Sequence, residues 1–304
     1  MSATSHRAAT IVAGPTMSGG VGPLLRAVRP RQWTKNALVC AGLLFAGKAG
    51  DVTAWLEALT IFVAYSTLSG AAYLINDVRD READRLHPVK RWRPLASGAL
   101  TLQRAIALAG TLALGGLAAA GSLGLRSFAL AAGFVGLQLA YTSGLKRVPF
   151  VDLLVIAALF VMRATAGAVA VHVHASVWLL VCTALLALFL GLAKRRGELM
   201  LVHAGHAPGR RALAGYSLVT VERLFDTTAA ITVLAYVAYA ARAHDSRELL
   251  LTTPLVAFGV LRYRHLVRRH GLGEEPENVL LGDPPLLVAI VIWAALAAII
   301  LATA

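Results

Sequence analysis

Charge is scarce in this chain of 304 residues. Asp, Glu, Lys and Arg make up 15% of it, where a soluble domain carries about a quarter. With 58% hydrophobic residues and a mean hydropathy of +0.68, too little polar surface remains to clothe a soluble core. The same figures exclude disorder of the chain as a whole. Cysteine is nearly absent. Cys40 and Cys182 both sit in apolar runs, so they read as small buried hydrophobes, with no disulfide framework and no zinc spacing. Acidic residues number 16 against 29 basic ones, for a formal net charge of +13. That excess does not signal nucleic acid, because most of the basic residues lie in short segments between apolar runs. Also missing are a Gly-rich phosphate loop, a Ser-His-Asp arrangement and a metal-binding His pair.

What the sequence does have is long uncharged runs, at 58–75, 105–125, 127–145, 164–193 and 284–304. A spanning helix needs about 20 mostly apolar residues. The run from Ala164 is too long for one span, and the stretch from His172 to Ser176 supplies a turn within it. Shorter runs at 36–47, 227–241 and 249–261 reach spanning length with their flanks. The reading is an all-α, polytopic membrane protein, a bundle of nine transmembrane helices at 33–49, 55–76, 102–121, 127–144, 150–171, 175–194, 219–241, 247–264 and 285–303. Residues 1–22 are rich in Gly, Ala, Ser and Thr and lack the apolar core of a signal peptide. They are expected to form a disordered, uncleaved tail ahead of a single transmembrane domain over 23–304.

Lys and Arg favour the cytoplasmic side of a membrane. Placing the N-terminus inside puts Arg29, Arg31 and Lys35, the basic stretch from Arg79 to Arg93, Lys146 and Arg147, Lys194 to Arg196, and Arg262 to Arg269 on that side. Only Lys48, Arg126, Arg242 and Arg247 fall outside, with Arg163 inside the membrane. The C-terminus is then outside, and a site built on the long polar loops opens to the cytoplasm of a plasma membrane.

The strongest chemical signal is Asn76-Asp77-Val78-Arg79-Asp80-Arg81-Glu82-Ala83-Asp84. Asn76, Asp80 and Asp84 are four apart, which puts their oxygens on one helical face. Clustered carboxylates repel unless a cation bridges them. Hard oxygen donors suit Mg²⁺, which takes substrate phosphate oxygens as further ligands. Lys90 and Arg93 follow in a basic loop suited to anionic oxygens. Lys35 and Asn36 close a basic, aromatic segment whose Trp33 and Arg29 read as membrane-interface anchors. Tyr141 and Lys146 end the fourth expected helix, and Asp152 opens the fifth. Arg163 lies within the fifth, where a charge is expensive and marks either a function or an ion pair with a carboxylate of the bundle. One of Lys194, Arg195 and Arg196 is expected to reach the pocket, with the others solvated. Arg262, Tyr263, Glu274, Glu275 and Glu277 are weaker candidates.

The Asn-Asp-x-x-Asp-x-x-x-Asp segment after an apolar helix, the YTSGLK segment and the span count together resemble the UbiA superfamily of intramembrane prenyltransferases, over roughly residues 26–303. Within it, RPRQWTKN, YLINDVRDREADRLHPVKRWRP, LAYTSGLK, RATAGAVA and GEEPE resemble the branch that makes decaprenylphosphoryl-phosphoribose for the actinobacterial cell wall. The resemblance implies transfer of 5-phosphoribose from phosphoribosyl diphosphate (PRPP) to decaprenyl or a related polyprenyl phosphate, with Mg²⁺ as cofactor. It implies catalytic Asp80, Asp84 and Lys146, and metal ligands Asn76, Asp80 and Asp84. The implied substrate ligands are Lys35, Tyr73, Asn76, Lys90, Arg93, Tyr141, Lys146, Arg163 and Lys194. One departure fits this branch. Where other members carry a second Asp-rich motif, the region after the fourth helix has Lys146 and a single Asp152.

Two other readings stay open. One is a prenyltransferase with a prenyl diphosphate donor and an aromatic acceptor. The other is a transporter or flippase, against which stands the absence of an evident inverted repeat. The expected partners are PRPP, the lipid phosphate and the bilayer; whether copies of the chain associate is left open.

Overall fold

The computed structural model describes residues 21–45, 48, 50–87, 89–205, 211–242, 247–270 and 276–303, and these are helical with no strand among them. The helices are α1 (Val21–Val28), α2 (Ala41–Phe45), α3 (Val52–Leu86), α4 (Leu102–Ser122), α5 (Leu125–Ser143), α6 (Val151–Ala170), α7 (Val177–His203), α8 (Leu218–Arg242), α9 (Thr253–His270), α10 (Pro276–Gly282) and α11 (Pro284–Thr303). The expected tail lies outside the described residues except for Val21 and Gly22, which open α1. Glu274 and Glu275 also lie outside them.

Among the described residues, α3, α4, α6, α7, α8 and α11 are long and apolar enough to cross a membrane, so the chain is a multi-pass membrane protein. The sequence reading expects nine spans. The other three segments are helical but differ from that expectation. The stretch 247–264 divides into a 3₁₀ turn, Arg247–Thr252, and α9, whose last turns carry Arg262, Arg264, Arg268 and Arg269. Helix α5 spends both of its ends on polar residues. The first expected span, 33–49, is a 3₁₀ helix over Pro30–Cys40 followed by the short α2. Side chains three apart eclipse in a 3₁₀ helix, and here Asn36 and Val39 line up on a buried edge that Gly42 continues at the start of α2. That edge lies hard against α6. A Cβ on Gly167 would stand 1.8 Å from the Val39 carbonyl oxygen, and one on Gly42 would stand 2.7 Å from Ala168 Cα. Only glycine permits backbones to approach so closely.

Sequential long helices pack as neighbours: α3 on α4, α5 on α6, α6 on α7, α7 on α8, and α9 between α8 and α11. One apolar core is shared by α3, α5, α6 and the 3₁₀ segment around Tyr65, Phe134 and Val39. A second lies among α7, α8 and α9 around Phe189, Phe225 and Tyr263. The rings of Phe189 and Phe225 stack nearly parallel with their centroids 4.7 Å apart. The turn expected from His172 to Ser176 separates α6 from α7.

Helix α3 carries the motif. Asp51 caps it by accepting from Thr53 N at 2.9 Å and Ala54 N at 3.3 Å. From there it runs unbroken for 35 residues. Nothing in 76–86 stops it, since Asp, Arg, Glu, Ala and Leu there include no Gly or Pro. His87 ends it, because the following Pro88 disfavours helical backbone in the residue before it.

Candidate active site

Alternating helix directions bring one set of ends together. The C-terminal turns of α3, α5, α7 and α9 and the N-terminal turns of α6 and α8 share one end of the bundle, and most of the ion pairs lie there.

At its centre Lys146 stands on a 3₁₀ turn, Leu145–Arg147, between α5 and α6. Its Nζ donates to Asn76 Oδ1 at 2.9 Å and to both oxygens of Asp80 at 2.8 and 3.0 Å. Asn76 Nδ2 donates to Asp80 Oδ2 at 3.1 Å, which fixes the amide with its oxygen toward the ammonium. Three oxygens therefore converge on one cation.

Asp84 is not the third member of this group. At about 100° of rotation per residue it lies about 80° around α3 from Asn76 but only about 20° from Asp77. Asp77 and Asp84 form a second, buried carboxylate pair bridged by Arg93. Its Nη1 donates to Asp84 Oδ2 at 2.6 Å and to Asp77 Oδ1 at 3.2 Å. Arg29 donates to the same Asp77 oxygen, and its guanidinium lies 5.0 Å from the centre of the Tyr73 ring. Arg29, expected as an interface anchor, is thus part of the site, and its left-handed backbone (φ 52°) turns the chain from α1 into the 3₁₀ segment. Arg79 Nη1 ties the motif to α5 through Ser143 Oγ at 2.9 Å.

The other expected ligands are placed variously. Lys90 opens the 3₁₀ turn Lys90–Trp92 just before Arg93, and its backbone N–H donates to His87 Nδ1 at 3.2 Å. Lys35 donates to Gln32 Oε1. Tyr141 packs against the core of α3, α5 and α6. Lys194 is half-buried near the end of α7. Its neighbours Arg195 and Arg196, two of three residues of which at least two were expected to be solvated, are both buried. Arg195 pairs with Asp152 (Nε to Oδ2, 3.0 Å) and with Glu198, while Arg196 donates to Glu222 at 3.0 Å and to the Val267 carbonyl at 3.2 Å.

Arg163 stands apart from the Lys146 group. Its Nε donates to Asn36 Oδ1 at 2.7 Å and its Nη1 to the Leu159 carbonyl at 3.0 Å, and its guanidinium lies 4.7 Å from the centre of the Phe134 ring. Asn36 in turn donates to Ser66 Oγ at 3.1 Å. Ser66 is fourteen residues, or about 21 Å, along α3 from Asp80. Among the described residues no carboxylate pairs with Arg163, so the expected alternative of an ion pair within the bundle gives way to an amide, a carbonyl and an aromatic face.

Sequence reasoning missed the pairing of Asp77 with Asp84, although a seven-residue separation on a helix signals it. It also missed the group formed by Asp152, Arg195 and Tyr216, for which no local spacing exists.

The donor set suits a divalent cation. Among the described residues no three His, Cys, Asp or Glu gather as a metal site. Mg²⁺, however, is commonly held by one or two carboxylates with water and substrate phosphate completing the shell. The Asn76–Asp80 cradle already surrounds a positive charge.

The UbiA prenyltransferase family matches residues 37–281. The chain is 33% identical over 289 residues to the decaprenyl-phosphate phosphoribosyltransferase of Mycolicibacterium smegmatis, covering 90% of each. To the protein of the same name from Corynebacterium glutamicum it is 32% identical over 279 residues, covering 89% of this chain and 84% of that one. Its fold is similar to the solved structure of a UbiA homolog from Archaeoglobus fulgidus bound to GPP and Mg²⁺, with a TM-score of 0.70 at 18% identity over 93% of this chain and all of that one.

Proposed function

Because the chain belongs to the UbiA prenyltransferase family, we propose that it transfers 5-phosphoribose from PRPP to decaprenyl or a related polyprenyl phosphate, giving decaprenylphosphoryl-5-phosphoribose and diphosphate for arabinan in the cell wall. The observation that carries this reading is the similarity, over nine-tenths of the chain, to enzymes bearing that name. The basic character of the polar end agrees with it. A donor with a diphosphate and a 5-phosphate brings several negative charges, and Lys146, Arg93 and Arg29 stand together to meet them.

Asn76 and Asp80 would hold Mg²⁺, with Asp84 close by on the same helix. When bound, the ion supplies charge neutralisation for a departing diphosphate. Lys146 donates to diphosphate oxygens as the C1–O bond loosens, an interaction strongest where charge develops. Arg93 and Arg29, held by Asp77 and Asp84, orient phosphate oxygens of donor or acceptor. An oxygen of the lipid phosphate forms the new bond to C1 from the opposite face while the diphosphate leaves with the C1–O electron pair. That oxygen is already anionic at neutral pH, so no strong general base is required. The polyprenyl tail lies between helices. An apolar groove of about 250 Å³ under α1, lined by Val28, Trp33, Gly70 and Leu112, begins one residue from Arg29 and suits such a chain. In this reading the site faces the cytoplasm of the plasma membrane.

Purified protein is given radiolabelled PRPP with decaprenyl phosphate, or a labelled prenyl diphosphate with an aromatic acceptor, and the lipid product is resolved by thin-layer chromatography. Label from PRPP in the lipid, abolished by EDTA, supports the proposal. Label from the prenyl diphosphate alone overturns it in favour of aromatic prenylation. Vesicle transport without either product overturns it in favour of a carrier.

A further inference from the structure

Lys146 reaches Asn76 and Asp80 only if the turn that carries it keeps its place. The turn closes on itself, Arg147 N–H donating to the Gly144 carbonyl at 2.9 Å and Val148 N–H to the Leu145 carbonyl at 3.1 Å, but those bonds do not seat it on the bundle. It runs from Gly144 to the start of α6 through Phe150, whose φ of 64° is a conformation that a bulky side chain rarely adopts. Something outside the turn must hold it there. Tyr216 does so from the connection between α7 and α8. Its Oη accepts the Phe150 N–H at 2.7 Å and donates to Asp152 Oδ1 at 2.6 Å. Its ring lies 4.7 Å from that of Phe150. Gly215 beside it closes on Pro149, where a Cβ would stand 2.3 Å from the proline ring.

The anchor is itself rigid. Asp152 is fully buried, accepts from Leu153 N at 3.0 Å, and faces Arg195 of α7 at 3.0 Å. Ser217, the next residue after Tyr216, accepts from Thr220 N at 3.0 Å and so fixes Tyr216 to the start of α8. Burial, then the bond to Asp152, pushes the phenol well above its ordinary range, so the hydroxyl stays a donor at any working pH.

We propose that Tyr216 is a positioning residue: one hydroxyl bridges Phe150 N–H and Asp152, and so locks the Lys146 turn to α6, α7 and α8. The turn then presents the ammonium at a fixed place against Asp80. Its effect on turnover rests on the phosphoribosyl-transfer reading; the lock itself does not.

The test is Tyr216→Phe, which keeps the ring and removes the bridge. Full-length protein in lipid nanodiscs is acetylated at fixed pH, and the rate at each lysine is read by mass spectrometry. Loss of the bridge should make Lys146 react about fivefold faster, the equivalent of one hydrogen bond. Lys48, at the opposite end of the bundle with its Nζ on the Val171 carbonyl at 2.8 Å, should keep its rate, which a general loosening of the fold would not allow. Phosphoribosyl transfer should lose kcat with KM unchanged. Equal Lys146 rates in the two proteins overturn the proposal. If the variant does not fold, hydrogen exchange of the wild type decides: the Phe150 amide must be among the slow ones, and exchange at the rate of an exposed loop overturns the lock. A faster Lys146 in a protein with no transfer from PRPP upholds the lock and overturns the substrate assignment instead.

Discussion

Replacing Lys146 by methionine should move metal affinity and turnover in opposite directions. The amine stands at 2.8–3.0 Å from three oxygens of Asn76 and Asp80, the place a divalent cation would take. Lys146 and Asp80 are 15% and 32% exposed, so their pair resembles a surface salt bridge and contributes about 0.2–1 kcal/mol to stability. Methionine keeps most of the stem, and melting should shift by less than about 4 °C. Two unit charges at about 4 Å repel by ~1 kcal/mol even at the dielectric constant of water, so removing the ammonium should tighten Mn²⁺ binding at least about fivefold. Turnover should fall. A lost charge-assisted contact to the leaving diphosphate costs about 1.5–3 kcal/mol, or roughly ten- to a hundredfold in kcat/KM. Mn²⁺ titration without substrate and a PRPP transfer assay read the two effects separately. Unchanged metal affinity with unchanged turnover refutes the reasoning. Metal affinity and turnover falling together refutes the competition between amine and metal, and makes Lys146 a support for the ligands.

Asp80→Asn should abolish Mg²⁺-supported transfer while melting near the wild-type temperature; full activity there, or in excess EDTA, removes the metal role. Arg163→Met strands Asn36 Oδ1 in the core, while the Leu159 carbonyl keeps its bond to the backbone N–H of residue 163 within α6. At about 1–3 kcal/mol for a buried group left unpaired, it should lower the melting temperature and leave the KM for PRPP unchanged; a raised KM in a normally melting variant would return Arg163 to the donor site. Gly70→Leu grows into the groove beside Val28 and Leu112, where a Cβ meets only ordinary contacts at 3.4 and 3.6 Å. It should raise the KM for polyprenyl phosphate alone, and a parallel rise for PRPP argues against the groove as the tail site. Asp283 is held below the usual carboxylate range, first by the Arg262 side chain and then by the Leu286 N–H at the start of α11. Its folded pKa is the lower one, so its stabilisation is complete above the unfolded value of about 3.9 and is lost as pH falls through the folded value. Melting curves of wild type and Asp283→Asn should therefore differ at pH 6 and converge in acid; a constant difference would disprove the linkage.

What was legible in the sequence was whatever depends on neighbours along the chain. Hydropathy located α3, α4, α6, α7, α8 and α11, and the polar residues after Val171 marked the break between α6 and α7. The four-residue spacing put Asn76 and Asp80 on one face. What escaped depends on partners far apart in sequence. Arg195 and Arg196 look like a solvated helix end until Asp152 and Glu222 arrive from other helices. Arg163 looks like half of an ion pair because the sequence cannot show that Asn36 crosses to it at a glycine contact between α6 and the 3₁₀ segment. That segment escaped too, since apolar residues three or four apart fit both helix types until the closeness of Gly167 and Val39 selects the tighter one.

The unbroken course of α3 sets an altitude. Its 35 residues measure about 52 Å, against a hydrocarbon layer of about 30 Å. A rod that long must stand proud of the oil, and the stretch from Asn76 to Asp84, with its Asn, three Asp, Glu and two Arg, is the part whose composition suits water. The height of the reacting plane above the membrane is thus counted out in helical turns. Under the proposed function, a water-borne sugar phosphate need not dive to meet its acceptor, and a lipid need only raise its headgroup. A thicker bilayer would drown the plane rather than stretch it, because α3 is one continuous helix from Val52 to Leu86.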